Sequence, residues 1–323
     1  MQQRVGVREQ LERAGRSMIK DSLPEPLRDW LAALPFLLVG SIDSEGRVWA
    51  SVLAGEPGFI RAPSPRLLTI HAQPAAGDPL AHQLGPGAPL GLLGMQLETR
   101  RRYRVNGRIA SRDDTSFSLA VEQSFGNCKQ YIQAREPHYD PALLGRARPA
   151  LVEGPSLSTR ASELLAHTDT FFIATASAAA VEGGDGQGGD GDGEGVDVSH
   201  RGGRPGFVRV APSPTGTRLT VPDFRGNFVF NTFGNLEVNP HAGLACIDFD
   251  TGDTLLLTGL ARATWDGPEL ASFEGADRLL TFDVTAGVLL PGALPIQFRG
   301  YSPSPDLLET GTWDEAARQA EPT

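Results

Sequence analysis

Between His200 and Gly206 the chain reads HRGGRPG. Its three glycines let backbone amides approach a ligand closely, while Arg201 and Arg204 bring fixed positive charge, a combination suited to a phosphate. Solvated arginines on a polar hairpin turn are the plain alternative. Downstream, PDFRGNFVFNTFGNLEVNP, from Pro222 to Pro240, sets Asn227, Asn231, Thr232 and Asn235 beside Gly226 and Gly234. Amide and hydroxyl groups next to glycine can bond phosphate oxygens or the edge of a flat heterocycle. Asn and Gly also dominate turns for conformational reasons alone.

Two further groups lie in the first half of the chain. Arg100, Arg101, Arg102 and Arg104 form a basic patch that, on a strand, sends two side chains inward and two outward. They either meet an anion or pair with carboxylates on a solvated face. FGNCKQYIQ, Phe125 to Gln133, offers Cys128 and Lys129, although its apolar spacing fits a plain docking helix equally well. Cys128 and Cys246 have no CxxC spacing, and both are expected to be reduced, with Cys246 buried in GLACIDF. Asp190, Asp192 and Glu194 alternate as in a calcium loop, but Arg201 stands where the bidentate Glu belongs, so no metal is expected.

The elements that must position these residues occur twice. PGFIRAPSPRLLTI from Pro57 returns as PGFVRVAPSPTGTRLTV from Pro205. FLLVGSID from Phe36 is matched by FFIATAS from Phe171, and GLLGMQLETRRRYRVNGRIA from Gly91 by GLACIDFDTGDTLLLTGLARA from Gly243. Internal similarity on this scale implies two copies of one fold unit. With Phe36 set against Phe171, the second copy carries an insertion of about 13 residues, visible as AAAVEGGDGQGGDGDGEG from Ala178 to Gly195, where the first copy has only DSEGR. This segment has eight glycines, five acids and no cation, and reads as a disordered hairpin loop.

Each copy reads as short strands rich in Val, Ile, Leu, Thr and Phe, preceded by a helix, which argues for antiparallel barrels. VREQLERAGRSMIKDS and LPEPLRDWLAALP supply helix before the first copy; ASELLAHT, capped by Ser158 or Thr159, does so before the second. The expected organisation is a helical segment over 1–30, a first barrel over 31–135, a linker over 136–156, a second barrel over 157–300 and a loose acidic tail over 301–323. The class is mainly β, with the two split barrels packed as an intramolecular pseudo-dimer.

The chain of 323 residues is 40% hydrophobic with a formal net charge of −10, which speaks against nucleic acid or an anionic membrane as partner. No apolar run reaches the length of a membrane helix and the N-terminal residues are polar, so a cytoplasmic location is expected.

DVSHRGGRPGFVRV, PDFRGNFVFNTFGN and NPHAGLACIDFDTGDTLLLTGLARA together resemble the pyridoxamine 5'-phosphate oxidase-like family of FMN-binding split barrels. The resemblance is closest over residues 160–265 and looser over the first copy, through TRRRYRVNGRIA and SFGNCKQYIQAR, as in two-copy members of that family. It implies a six-stranded barrel with flanking helices, working as a dimer with FMN at the interface. True pyridoxamine phosphate oxidases hold the phosphate with an Arg-Lys pair where this chain has Gly234 and Asn235, so vitamin B6 synthesis is not expected.

The resulting site comprises Ser199, His200, Arg201, Gly202, Gly203, Asn231, Thr232, Gly234 and Asn235. Arg201, Thr232 and Asn235 would hold phosphate, Ser199 and His200 would lie near the ring or ribityl chain, and Arg101 or Lys129 would meet an anionic substrate. No catalytic residue is assigned. Val52, Leu53 and Ala54 stand opposite His200, Arg201 and Gly202, and Pro79, Leu80 and Gln83 opposite Asn231, Thr232 and Asn235. One copy thus keeps the site and the other closes it. The leading function is an FMN-dependent oxidoreductase acting on a small molecule. The alternatives are a protein that holds flavin, deazaflavin or haem without turnover, His200 being the haem ligand, or a partner of a separate reductase. Association of two chains is left open.

Overall fold

The computed structural model describes residues 18–181, 195–226 and 229–320. Helix α1 (Glu25–Ala32) precedes strands β1 (Phe36–Ile42), β2 (Val48–Ala54), β3 (Ile60–Ser64), β4 (Leu67–Ile70), β5 (Pro89–Gln96), β6 (Arg101–Arg112) and β7 (Phe117–Gly126). After β8 (Ala134–Tyr139) and β9 (Leu151–Glu153), helix α2 (Thr159–His167) leads into β10 (Thr170–Ala176) and the short helix α3 (Ala178–Val181). Then come β11 (Val196–Gly202), β12 (Arg209–Ser213), β13 (Gly216–Phe224), α4 (Asn231–Val238), β14 (His241–Ile247) and β15 (Thr254–Thr264). Helix α5 (Pro268–Ala271), β16 (Ala276–Leu290), β17 (Ile296–Ser302) and α6 (Trp313–Ala320) complete the order.

The duplication is written in the strand order. One sheet runs β2-β1-β5-β6-β7-β4-β3 and the other β11-β10-β14-β15-β16-β13-β12, the same path taken twice, with β9 added beside β16. Each split barrel has seven antiparallel strands on this path, one more than the resemblance implied. Both place a bulge at the same point, between Asn106 and Gly107 and between Thr258 and Gly259. There a Cβ would come within 1.9 Å of Ala120 O in the first copy and 2.2 Å of Asp283 O in the second, so glycine is required by close backbone approach.

Register corrects the alignment by one residue. Leu37 pairs with Leu53 and Gly94, as Phe171 pairs with Arg201 and Cys246, so the counterpart of Phe171 is Leu37 and not Phe36. A one-residue slip sends each side chain to the opposite face, and here the corrected register puts Val39 and Ile173 inside their barrels and Leu38 and Phe172 between them. The insertion is accordingly one residue longer than the alignment gave.

Each barrel closes on its own core, Leu37, Val39, Leu92 and Phe117 in one and Phe171, Ile173, Leu244 and Phe282 in the other. A third apolar layer joins them: Phe36, Leu38, Trp49, Val52 and Leu93 pack with Phe172, Ala174, Val196, Val198 and Leu256. The layer is tight enough to need bare backbone. A Cβ on Gly91 would lie 2.4 Å from Val196 O, and one on its counterpart Gly243 would lie 2.5 Å from the Trp49 Cα. The two contacts exchange roles between the copies, as a pseudo-twofold axis demands.

Several expectations change. The linker is structured: β8 pairs with β17 to form a ribbon shared by both copies, and β9 joins the second sheet. Residues 127–133 run as loop and not helix, and the tail is ordered, with a helical turn at Pro305–Glu309 followed by α6. The disordered loop expected over 178–195 falls mostly on residues 182–194, outside the described residues. Ala178–Val181 itself is α3, started by Ser177 Oγ, which accepts from Ala180 N and Gly195 N. Most of the helix expected over 7–22 also lies outside the described residues, and its end is not helical, Lys20 bridging to Ser124. Ser158 caps α2 as expected, its Oγ accepting from Ala161 N at 3.2 Å. Among the described residues no helix is long and apolar enough to cross a membrane.

Gly243→Val should therefore drive a side chain into the other barrel's backbone and destabilise the protein by about 3 kcal/mol. Thermal melting checks this, with Gly85→Ala as control, since a Cβ there meets nothing within 4 Å. Equal melting of the two variants would show that the barrels do not meet through Gly243.

Candidate functional site

Strand β11 delivers the HRGG motif to the seam between the copies. Asp197, Ser199 and Arg201 share one face by strand alternation, while His200 points with Val196 and Val198 toward the inter-barrel layer, its ring edge on Phe172 at 5.9 Å. Helix α4 approaches from its own copy, and the Thr232 hydroxyl meets Ser199 Oγ at 2.8 Å. From the other copy β6 supplies Arg102 and Arg104, and the loop after β7 supplies Asn127, Cys128, Gln130 and Tyr131. These residues, with Asp223, Phe224, Phe230, Phe233 and Arg278, surround a cavity of about 100 Å³.

Its chemistry is set by four guanidiniums. Arg104 donates to Ser199 Oγ at 2.6 Å and pairs with Asp197 at 3.2 Å, both side chains buried. Arg201 lies 3.1 Å from Asp223 through Nε, without the alignment of a hydrogen bond, and Arg278 donates to the other Asp223 oxygen at 2.6 Å. Asp223 and Arg278 are cross-strand neighbours on β13 and β16. Arg102 has only the Cys128 carbonyl at 2.9 Å and weaker contacts to Cys128 Sγ and His200 O. Among the described residues no carboxylate lies within ion-pair range of it.

Burial governs the titration of all these groups. It pushes Arg102 down to about 10, still cationic at neutral pH, and lowers Arg104 against the pull of Asp197. It raises Asp197 and Asp223, which Arg104 and Arg201 draw back toward the ionised form. Burial and then Arg102, Arg201 and Arg135 hold His200 well below its ordinary range, so its imidazole is neutral. Arg278 also donates to Asp277 at 3.2 Å, so four arginines face three carboxylates, and the cation left without one is Arg102, in a pocket walled by Phe224, Phe230 and Phe233.

The structure brings together Ser199, His200, Arg201, Gly202, Asn231 and Thr232. Three other candidates support the site from outside it. Gly203 packs on the Phe207 ring, Gly234 donates its N–H to Phe230 O, and Asn235 turns away to donate to Thr175 Oγ1 at 3.0 Å. The phosphate role given to Asn235 is therefore corrected. Arg101 is exposed, its guanidinium 4.9 Å from the Trp30 ring, and Lys129 is exposed outside the lining. The inward pair of the patch is Arg102 and Arg104, a choice that strand alternation alone could not make. Arg278 and Asp223 lie 55 residues apart in sequence and carry no local motif.

The equivalent place in the first copy has lost its charges as a set. By register Trp49 replaces Asp197, Leu53 replaces Arg201 and Leu80 replaces Thr232, while Leu256 of the second copy replaces Arg104. Gln83 there accepts from Ser41, as Asn235 serves Thr175 in the living site. What remains is Asp78, buried, bonded by Ser51 Oγ at 2.7 Å and Leu80 N at 2.9 Å, with no cation in ion-pair range among the described residues.

The residues fit an anion of phosphate size and an aromatic body beside it. Buried polar atoms of the lining still lack partners, Arg104 Nε, Arg278 Nε and Asn127 Oδ1 among them, and Gly202 is required by the close approach of the Tyr131 carbonyl, which a Cβ would meet at 2.0 Å. For His200 to ligate haem its Nε2 would have to be uncovered, since it is sealed from solvent. Among the described residues no group of three or more His, Cys, Asp or Glu is placed to hold a metal.

No family model matches the chain, and no curated protein matches it. Solved structures similar to part of it include HupZ variants from Group A Streptococcus, one at 14% identity over 41% of this chain and 98% of that one, with a TM-score of 0.30. A second HupZ structure gives 14% identity over 40% and 89%, with a TM-score of 0.28. A candidate pyridoxamine 5'-phosphate oxidase from Lactobacillus delbrueckii gives 12% identity over 41% and 93%, with a TM-score of 0.29. At such scores the functional reading rests on the pocket's own geometry.

Asp78 yields a pH test of the lost site. Burial pushes its carboxyl up to about 6 from 3.8. Between those values the folded state holds a proton that the unfolded chain has released, so this group's contribution falls as pH rises through the window, by up to about 3 kcal/mol. Asp78→Asn should melt higher than the native protein at pH 8 and equally at pH 4. Identical differences at both values would show that Asp78 does not titrate in the fold.

Proposed function

We propose that this protein binds FMN in the pocket between its two copies and uses it in oxidoreductase chemistry on a small molecule. The observation that carries the reading is Arg102, a largely covered guanidinium beside aromatic walls with no carboxylate in ion-pair range among the described residues, since a covered charge without a counter-charge calls for an anion. A phosphate monoester supplies that anion. Arg201, Arg278 and Thr232 would hold the phosphate from the second copy and Arg102 from the first, with Phe224 and Phe230 offering apolar faces to the ring.

When bound, FMN supplies the hydride or electron transfer, and the protein supplies binding and electrostatics. The lining residues agree with that division of labour. Their titratable groups are arginines, Asp223 held between two of them, the neutral His200, Cys128 and Tyr131, whose hydroxyl is pushed up to about 12. None forms a nucleophile and base pair. A protein that keeps a flavin or deazaflavin without turnover is the second reading, supported by the same lack of acid and base. In either case a separate reductase or another donor would deliver the electrons.

Titration of apoprotein with FMN, followed by quenching of flavin fluorescence, tests the reading. Arg102→Ala and Arg201→Ala should each weaken binding by roughly 1.5–3 kcal/mol, the range for hydrogen bonds to charged groups. Saturable binding left unchanged by both substitutions would place the flavin elsewhere, and no binding by the native protein would remove it.

A further inference from the structure

Gln133 is fully buried where three parts of the chain meet. Its Nε2 donates to Tyr131 O at 3.1 Å and more distantly to Gly203 O at 3.5 Å, while its Oε1 accepts from Ser304 N at 2.8 Å. One amide thus joins the first copy's loop, the second copy's glycine turn and the start of the C-terminal segment. The joint matters because Tyr131 holds a left-handed backbone, φ 62°, with its carbonyl pressed on Gly202 in the cavity lining. Non-glycine residues adopt that conformation at a cost, so the surroundings must impose it.

The C-terminal segment reaches the same wall by a second route. The Trp313 ring packs on Phe273 at 4.8 Å, Phe273 on Phe224 at 6.2 Å, and Phe224 on Tyr131 at 5.2 Å. Trp313 Nε1 donates to Phe207 O at 2.9 Å, and the Arg209 guanidinium lies 4.1 Å from the Trp313 ring centre. Outside, Arg204 of the glycine turn grips Glu315 through both oxygens, at 2.8 and 3.0 Å, and donates to Thr310 O at 3.0 Å. Arg204 thus belongs to a clasp on the tail and not to the pocket. Tyr131 Oη donates to Arg225 O at 2.9 Å, tying the first copy's loop to the end of β13.

We infer that Gln133 and Trp313 are positioning residues through which the docked C-terminal segment holds Tyr131 and Phe224 as the closed wall of the pocket, so that ligand exchange requires this segment to come away. The inference rests on the reading of the pocket as a ligand site. Size points the same way. A cavity of about 100 Å³ takes an anion, whereas a ligand with a three-ring body needs several times that space. The wall of Tyr131 and Phe224 is held by contacts with residues 303–320, which belong to neither barrel sheet and can therefore leave without unfolding a barrel.

Hydrogen exchange on the ligand-free full chain tests the coupling, read at Cys128–Tyr131 and at Gly202–Gly203, segments linked to Trp313 through Phe224, Phe273 and Phe207. Trp313→Ala should speed exchange there by roughly tenfold or more. Glu315→Gln, which loosens the partly exposed pair with Arg204 and the bond accepted from Thr312 N and leaves the core intact, should raise it roughly 2–5-fold. Faster exchange confined to residues 304–320 in both variants would overturn the coupling. Dissociation of FMN should accelerate in the same order, and unchanged dissociation alongside faster wall exchange would overturn the gating. Failure of the native protein to bind FMN would strike the cofactor reading alone, because the exchange measurement contains no ligand.

Discussion

Everything in this molecule hangs on one apolar layer, the surface along which two copies of a split barrel lie against each other. Gly91 and Gly243 let the backbones of β5 and β14 rest on β11 and β2 of the opposite copy, with Phe36, Leu38, Phe172 and Val198 filling the space between. Burial of such side chains is worth about 1.5–3 kcal/mol apiece, and none of them finds cover in its own barrel. The same approach brings β6 of the first copy beside β11 of the second. Arg104 can therefore reach Asp197 and Ser199, and Arg102 can reach the backbone at His200.

Duplication within one chain permits an asymmetry that two identical chains could not have. Two identical subunits would form two equal pockets. Here the charged members of one pocket are present together and those of the other are absent together. The physical reason is that removing one partner of a buried ion pair costs several kcal/mol, whereas replacing the whole set with well-packed apolar residues is close to neutral. Trp49, Leu53 and Leu256 stand where Asp197, Arg201 and Arg104 stand in the other copy. Asp78 is the exception, a buried acid with no cation in ion-pair range among the described residues, its carboxyl pushed up to about 6 by burial.

Much of this was legible in the sequence because repeats and strand alternation are local signals. Two copies of PGF and APSP gave the duplication, and the asymmetry at HRGG and NTFGN pointed to the copy that bears the site. The corrections concern long-range facts. Only the ladders fixed Leu37 opposite Phe171, and only the packing chose Arg102 and Arg104 over Arg101. Arg278 was invisible because its meaning comes from Asp223, its neighbour across two strands. The acidic tail read as loose by composition, yet Trp313 and the Arg204–Glu315 clasp bind it down.

The proposed pocket holds one anionic ligand between the copies, gripped from both sides. Crystals of the full chain grown with FMN would show it. One flavin per chain is expected, its phosphate within hydrogen-bond distance of guanidiniums from both copies, Arg102 from the first and Arg201 or Arg278 from the second. A phosphate held by residues of one copy alone, or a flavin bound away from this cleft, would contradict it.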